Sequence, residues 1–301
     1  VPAPLSPSQV RSKIAAALER LRPSDLESAT SRERFLAGLP DSLFGTVGGN
    51  TPCVEVASAD GERLVFDAGS GIRNLGLAAV KEIPRPTRYR LFFSHFHWDH
   101  LQGLPFFGPA YDPSVHLDFY SPREALEETL RQQMRDPFFP VAFDATSSKK
   151  TFTHMTAPVH IGKTLVSFKK LNHPGSSYSF SVTEGTKRFI YATDTELTSE
   201  DFVRNDENAS FFGGADVLVI DSQYTLGEAI EKYNWGHSAF SLALDFASTW
   251  GIQRIYLFHH DPAYDDKKVF GILQSARWYL DHLSIKGIEV HLAMEGLEIR
   301  L

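Results

Sequence analysis

Residues 91–100 read Leu-Phe-Phe-Ser-His-Phe-His-Trp-Asp-His, an apolar run that stops in three histidines and one aspartate. In an extended strand alternate side chains share a face, so the pattern predicts His95, His97 and Asp99 pointing one way as a strand ends, with His100 following at a turn. Neutral imidazoles and carboxylates are the donors that borderline and hard divalent ions take. Four of them this close together exceed one ion's usual share, so the run points to two ions.

The same signature recurs along the chain. From Phe44 onward the sequence breaks into short β-rich runs: Gly45–Asn50, Cys53–Ala57 and Arg63–Phe66, the last closed by Asp67-Ala-Gly-Ser-Gly71 before a helix over Ile72–Val80. A strand over His116–Tyr120 leads into a helix over Pro122–Met134. Thr164–Leu171 alternates as a strand and ends in Asn172-His173-Pro174. Tyr178–Val182 and Arg188–Ala192 form a hairpin about Glu184-Gly185 and run into Asp194. Asp216–Ile220 is nearly all apolar and ends in Asp221. Ser238–Trp250 has the apolar period of a helix, and Arg254–Phe258 is a strand ending in His259-His260. A last helix over Asp265–Leu283 and a hairpin over Ile288–Leu301, turning at Glu295-Gly296, complete the chain. Strand ends near 67, 95–100, 173, 194 and 259 therefore carry His or Asp, which is how a sheet scaffold gathers donors from distant sequence into one site.

Upstream, residues 6–38 read as two helices separated at Pro23-Ser24, with Ser6 as N-cap and Pro7 in the first turn, so residues 1–43 form an N-terminal helical extension and 44–301 the main domain. A chain of 301 residues with 42% hydrophobic content can fill the core such a domain needs. The single cysteine, Cys53, leaves no intrachain disulfide and no cysteine-rich metal site, and reads as a buried strand residue. A net charge of −7 argues against a nucleic-acid backbone as the main partner. No window has the uninterrupted apolar length of a membrane span, and Val1–Pro7 lacks a basic, then apolar leader, so the expected location is cytoplasmic.

The run His-x-His-x-Asp-His resembles the signature of the metallo-β-lactamase fold superfamily, and the chain from about 44 to 301 matches its order of elements. The resemblance implies an α+β fold, a four-layer αββα sandwich with metals at one edge. It implies His95, His97 and His173 as ligands of one metal, Asp99, His100 and His259 as ligands of the other, and Asp194 bridging both. His260 is the rival of His259, and Asp67 takes a supporting place behind the ligands. The implied cofactors are two divalent ions, zinc first, with manganese or iron suiting the same donors. Two such ions lower the pKa of a bridging water and polarise the ester it attacks.

Asn234-Trp-Gly-His-Ser-Ala-Phe240 places His237 before the helix that leads to His259, an arrangement similar to the tRNase Z-like phosphodiesterase branch. There a histidine in this place acts on the substrate phosphate, which makes His237 the candidate general acid. That branch has a glutamate where this chain has Ser222, and Asp221 is the substitute partner for His237. The catalytic set is thus His237, Asp99 and Asp221. The chain has no long glycine-rich arm of the kind that clamps tRNA, so the expected substrate is a small phosphodiester such as a cyclic nucleotide, with Phe106, Phe107, Phe138 and Phe139 as walls for a flat group. The alternatives are hydrolysis of a carboxylic ester, thioester or lactam, which does not need His237, and a non-hydrolytic di-iron oxidoreductase or sensor. A homodimer is the default assembly.

Overall fold

The structure, a computed structural model, describes residues 4–301; Val1–Ala3, part of the stretch read for a leader, lie outside the described residues. Two sheets form in strict chain order. The first is β1 (Val54–Ala57), β2 (Arg63–Phe66), β3 (Arg88–Phe92), β4 (His116–Ser121) and β5 (Lys149–His154), hydrogen-bonded in that order, with only β1 and β2 antiparallel. The second runs β12-β11-β10-β9-β8-β7-β6. Its strands are β6 (Val159–Ile161), β7 (Thr164–Lys170), β8 (Tyr178–Glu184), β9 (Lys187–Ala192), β10 (Val217–Asp221), β11 (Arg254–Phe258) and β12 (Glu289–Leu292). Strands β6 to β9 pair antiparallel, and β9 to β12 are parallel.

Helices α1 (Pro7–Leu18), α2 (Ala29–Ala37) and the single turn α3 (Asp41–Phe44) precede the first sheet. Then come α4 (Ile72–Ala79), the turn α5 (Trp98–Leu101) and α6 (Leu126–Gln133). Helices α7 (Asp206–Phe212), α8 (Leu226–Glu231), α9 (Phe240–Thr249) and α10 (Asp266–His282) interleave with the second sheet.

The period of two in the strands divides the apolar residues among three packed interfaces. Leu64, Phe66, Phe92, Phe180, Tyr191, Val217 and Val219 meet between the two sheets. Val65, Leu91 and Phe119 face the other way, onto Ile72 and Ala79 of α4 and Leu126 and Leu130 of α6. Ile190, Leu218, Ile220, Ile255 and Leu257 face Ala243, Leu244 and Ala247 of α9 and Val269, Ile272 and Ala276 of α10. This is the αββα sandwich, four layers held by three apolar seams. Each buried leucine or phenylalanine contributes roughly 1.5–3 kcal/mol relative to its exposure.

Several boundaries differ from the sequence reading. Gly45–Asn50 is not a strand: Val47 N–H donates to Asp266, and Gly49 and Asn50 N–H groups donate to Glu295, so side chains satisfy a backbone that no ladder pairs. Residues 288–301 do not form a hairpin, because Glu289–Leu292 pairs in parallel with β11 and the following residues form no strand. The helix expected from Pro122 starts only at Leu126, after a turn in which Ala125 takes a left-handed φ of 63°. Cys53 stands one residue before β1 and is partly rather than fully buried. No helix among the described residues is long and apolar enough to cross a membrane.

Candidate metal centre and general-acid site

The candidate ligands follow the C-terminal ends of strands, as the sequence pattern anticipates, whereas Asp221 closes β10 and His237 precedes α9, and the local geometry differs from strand alternation. Strand β3 stops at Phe92; His95 and His97 sit on the connecting turn, and Asp99 and His100 on α5. The turn sends the donors two ways. His95, His97, His173 and Asp194 have ligand atoms within 4.8 Å of one another, as do Asp99, His100 and His259. Asp194 belongs to both sides: its Oδ1 is 3.1 Å from His100 Nε2 and 3.2 Å from His259 Nε2, and its Oδ2 is 3.6 Å from the Nε2 atoms of His95 and His173. His259, not its rival His260, therefore reaches the cluster.

Three of these strand-end residues, Asp67, Asp194 and His259, have left-handed φ of 60°, 48° and 58°. This conformation is uncommon for non-glycine residues, and it turns the chain sharply while aiming the side chain into the site. The turns also pack closely. Ala68 N–H donates to His100 O, Gly103 N–H donates to Ala68 O, and a Cβ on Gly103 would come within 1.9 Å of Gly69 O, so only glycine fits there.

The donor set suits a metal on an internal observation. Each of four imidazoles gives its Nδ1–H to an oxygen: His95 to Ser94 Oγ at 3.0 Å, His100 to Asp67 at 2.8 Å, His173 to Gly236 O at 2.8 Å and His259 to Gln223 Oε1 at 3.2 Å. That fixes the tautomer and turns the Nε2 lone pair inward, the arrangement of metal-bound histidine. The inward Nε2 of His95 is buried without a hydrogen-bond partner, the Asp194 carboxylate standing 3.6 Å away, a cost that a bound cation removes. Burial and the neighbouring His100 press His95 down to about 2, and burial lowers His97 and His173, so these rings are held in the neutral, ligating form. Burial alone would raise Asp194, but His259 and His100 hold it well below the usual carboxylate range. Burial would likewise lower His100, yet the Asp194 and Asp67 carboxylates outweigh it and raise the ring well above its ordinary value.

Beside the cluster, His237 Nδ1 donates to Asp221 Oδ2 at 2.6 Å. Its ring stacks on His259 at 5.0 Å and 12°, and a ligand atom of His237 lies within 4.8 Å of those of Asp194 and His259. Asp221 is fully buried and also accepts Ser238 N–H at 3.1 Å, so it is fixed before it orients the imidazole. Burial pulls the His237 pKa down, but the adjacent Asp221 carboxylate overrides it and the net shift is upward. Ser222, at the position of the missing glutamate, faces elsewhere and donates to Phe258 O at 3.1 Å.

A profile described as the beta-lactamase superfamily domain matches residues 62–260. The chain belongs to the beta-lactamase superfamily. Among curated superfamily relatives, ribonuclease Z of Oceanobacillus iheyensis is 22% identical over 291 residues, covering 80% of this chain and 92% of that protein. Among solved structures, the metallo-beta-lactamase fold protein YhfI from Bacillus subtilis superposes with a TM-score of 0.62 at 20% identity, over 83% of this chain and 91% of that one. Unliganded yeast PDE1 gives 0.59 at 14% identity, over 82% and 93%. These likenesses establish the metallo-β-lactamase fold, and the His/Asp cluster of this superfamily member is compatible with a metal site.

The sequence pattern does not mark Gln223, Gly236, Glu196 or Tyr191. Glu196 accepts the N–H groups of Asn234 and Gly236 with its two oxygens, each at 2.9 Å, which fixes the loop whose Gly236 carbonyl holds His173. Gly236 has φ 87°, and a Cβ there would stand 2.3 Å from His173 Nδ1. Only a glycine before His237 signals this close approach in the sequence. Of the four phenylalanines read as walls, Phe107 is in the core, edge-on to Tyr89 at 5.2 Å, whereas Phe106 and Phe138 are exposed. Two tryptophans within two residues of site residues in sequence, Trp98 and Trp235, are each 62% exposed.

Proposed function

We propose that this superfamily hydrolase is a dinuclear metal-dependent phosphodiesterase acting on a small phosphodiester, with His237 as general acid. The observation that carries the reading is the buried Asp221–His237 hydrogen bond beside the donor cluster. Hydrolysis of a thioester, whose thiolate leaves without a proton, has no use for that pair. His95, His97, His173 and Asp194 would hold one ion, and Asp99, His100, His259 and Asp194 the second; when bound, they supply an activated water and neutralise charge on the phosphate. Asp221 stabilises the protonated imidazole and fixes its plane, so the remaining ring nitrogen presents a proton toward the oxygen that leaves. Asp99 is partly exposed, and its Oδ2 lies 3.3 Å from the Nε2 atoms of His100 and His259. Trp98 and Trp235 offer stacking surfaces for a base. Zinc is the proposed metal, and a small molecule rather than tRNA the proposed substrate.

The test compares metal-loaded wild type with His237→Ala on a cyclic-nucleotide panel and on bis-p-nitrophenyl phosphate, with metal content measured on the same samples. A sugar alkoxide needs a proton to leave, whereas p-nitrophenolate does not. The expected loss is about 10²- to 10⁴-fold in kcat on the cyclic nucleotide and much smaller on the chromogenic diester, with metal content unchanged. A metal-loaded wild type that leaves both substrates intact overturns the reading.

A further inference from the structure

Arg123 lies on the turn after β4, at the sheet edge that carries His95 and His97. Its guanidinium rests over the Phe96 ring at 4.9 Å, and Nη1 donates to Ser176 O at 3.4 Å. A Cβ added to Gly175 would stand 3.2 Å from His97 Nε2 and 3.7 Å from Arg123 Nη1, so imidazole and guanidinium flank a single glycine. Four arginines of this layer are neutralised: Arg63 by Glu55 and Glu82, Arg88 and Arg90 by Asp118, and Arg131 by Glu127 and Asp144. Arg123 has no carboxylate within ion-pair distance among the described residues. A partly buried cation without a counter-charge, next to residues that would hold divalent ions, is electrostatically costly until an anion joins it. Beyond it opens a cavity of about 510 Å³ along the ends of β4 and β5, lined by Arg123, Phe152, Thr153 and His154 together with Glu124, Glu128 and the paired Glu127 and Arg131.

Resting on the phosphodiesterase reading, we propose that Arg123 binds a second anionic group of the substrate, so that the preferred substrates are phosphodiesters carrying an additional phosphate. The planar fork suits a phosphate oxygen pair, and its seat on Phe96 keeps it pre-oriented. The cavity beyond Arg123 is lined by none of the donor residues, which sets this group apart from the scissile phosphate.

The experiment uses metal-loaded wild type, Arg123→Ala and Arg123→Lys with two chromogenic diesters, thymidine 5′-(p-nitrophenyl phosphate) with and without a 3′-phosphate. The expected result is a wild-type preference for the 3′-phosphorylated diester. Arg123→Ala is expected to lose about 10- to 100-fold in kcat/KM on that diester, mostly through KM, and less than about 3-fold on the other, with Arg123→Lys intermediate. Equal losses on both diesters, or none on either, overturn the proposal. Calorimetric binding of thymidine 3′,5′-bisphosphate and thymidine 5′-monophosphate decides it without turnover. Weakening of the bisphosphate alone in Arg123→Ala supports the site even where the diesters are not cleaved, and unchanged affinities for both refute it even where they are.

Discussion

Asp67 ties together four groups behind the donor cluster. It accepts Ser94 N–H and Oγ–H, His100 Nδ1–H and the Tyr191 hydroxyl, at 2.7–2.9 Å, in a left-handed turn and out of contact with water. Replacing one oxygen with an amide turns an acceptor into a donor aimed at groups that already donate. Asp67→Asn is therefore expected to weaken metal affinity about 10- to 100-fold, measured by competitive titration with a chelator, while circular dichroism shows the sheets retained. Its place behind the ligands was legible from the resemblance, because it follows a strand and precedes glycines. Tyr191 was not, since an aromatic residue in an apolar strand looks like core until the opposite sheet brings a carboxylate to its hydroxyl. The same holds for Gln223 and Glu196, whose partners come from other elements.

Elements were legible where an apolar face repeats and missed where it does not. Strand β5 reads Lys-Lys-Thr-Phe-Thr-His at a sheet edge, with little buried, and β6 has three residues; neither has the pattern that would announce it. Strand β12 is apolar enough to be noticed, but its partner is distant in sequence, so a local hairpin was the wrong inference. Capping was easier to see at Ser6, whose side chain accepts Gln9 N–H, than at α8. There Glu228 accepts from Thr225 N–H and Oγ–H and from the Tyr264 hydroxyl, and forms an ion pair with Lys268. Partial burial opposes ionisation, but the bonds from Thr225 and Tyr264 bring the carboxyl from 4.5 down to about 2. A depressed folded-state pKa stabilises above pH 4.5, and that stability is lost as pH falls toward about 2. Urea midpoints measured across that window should fall less steeply in Glu228→Gln than in wild type.

For the whole molecule, the N-terminal helices pose a different problem, because α1, α2 and α3 contain no buried residue and Val10, Ile14 and Leu18 are exposed. What fastens them is polar. Lys13 Nζ donates to Ser42 O at 2.9 Å and Gly45 O at 2.6 Å, and pairs at 2.6 Å with Asp266 at the start of α10. Asp266 is 4% exposed, so Lys13→Ala leaves a buried carboxylate without its cation and should cost about 3 kcal/mol, read from the shift of the denaturant midpoint.

The two sheets divide the chain at one point, between β5 and β6. Everything before it supplies Asp67, His95, His97, Asp99 and His100; everything after it supplies His173, Asp194, Asp221, His237 and His259. Neither half alone carries the full donor set. The donor cluster is complete only where the two layers dock in register, so a chain whose halves have folded but not met lacks it.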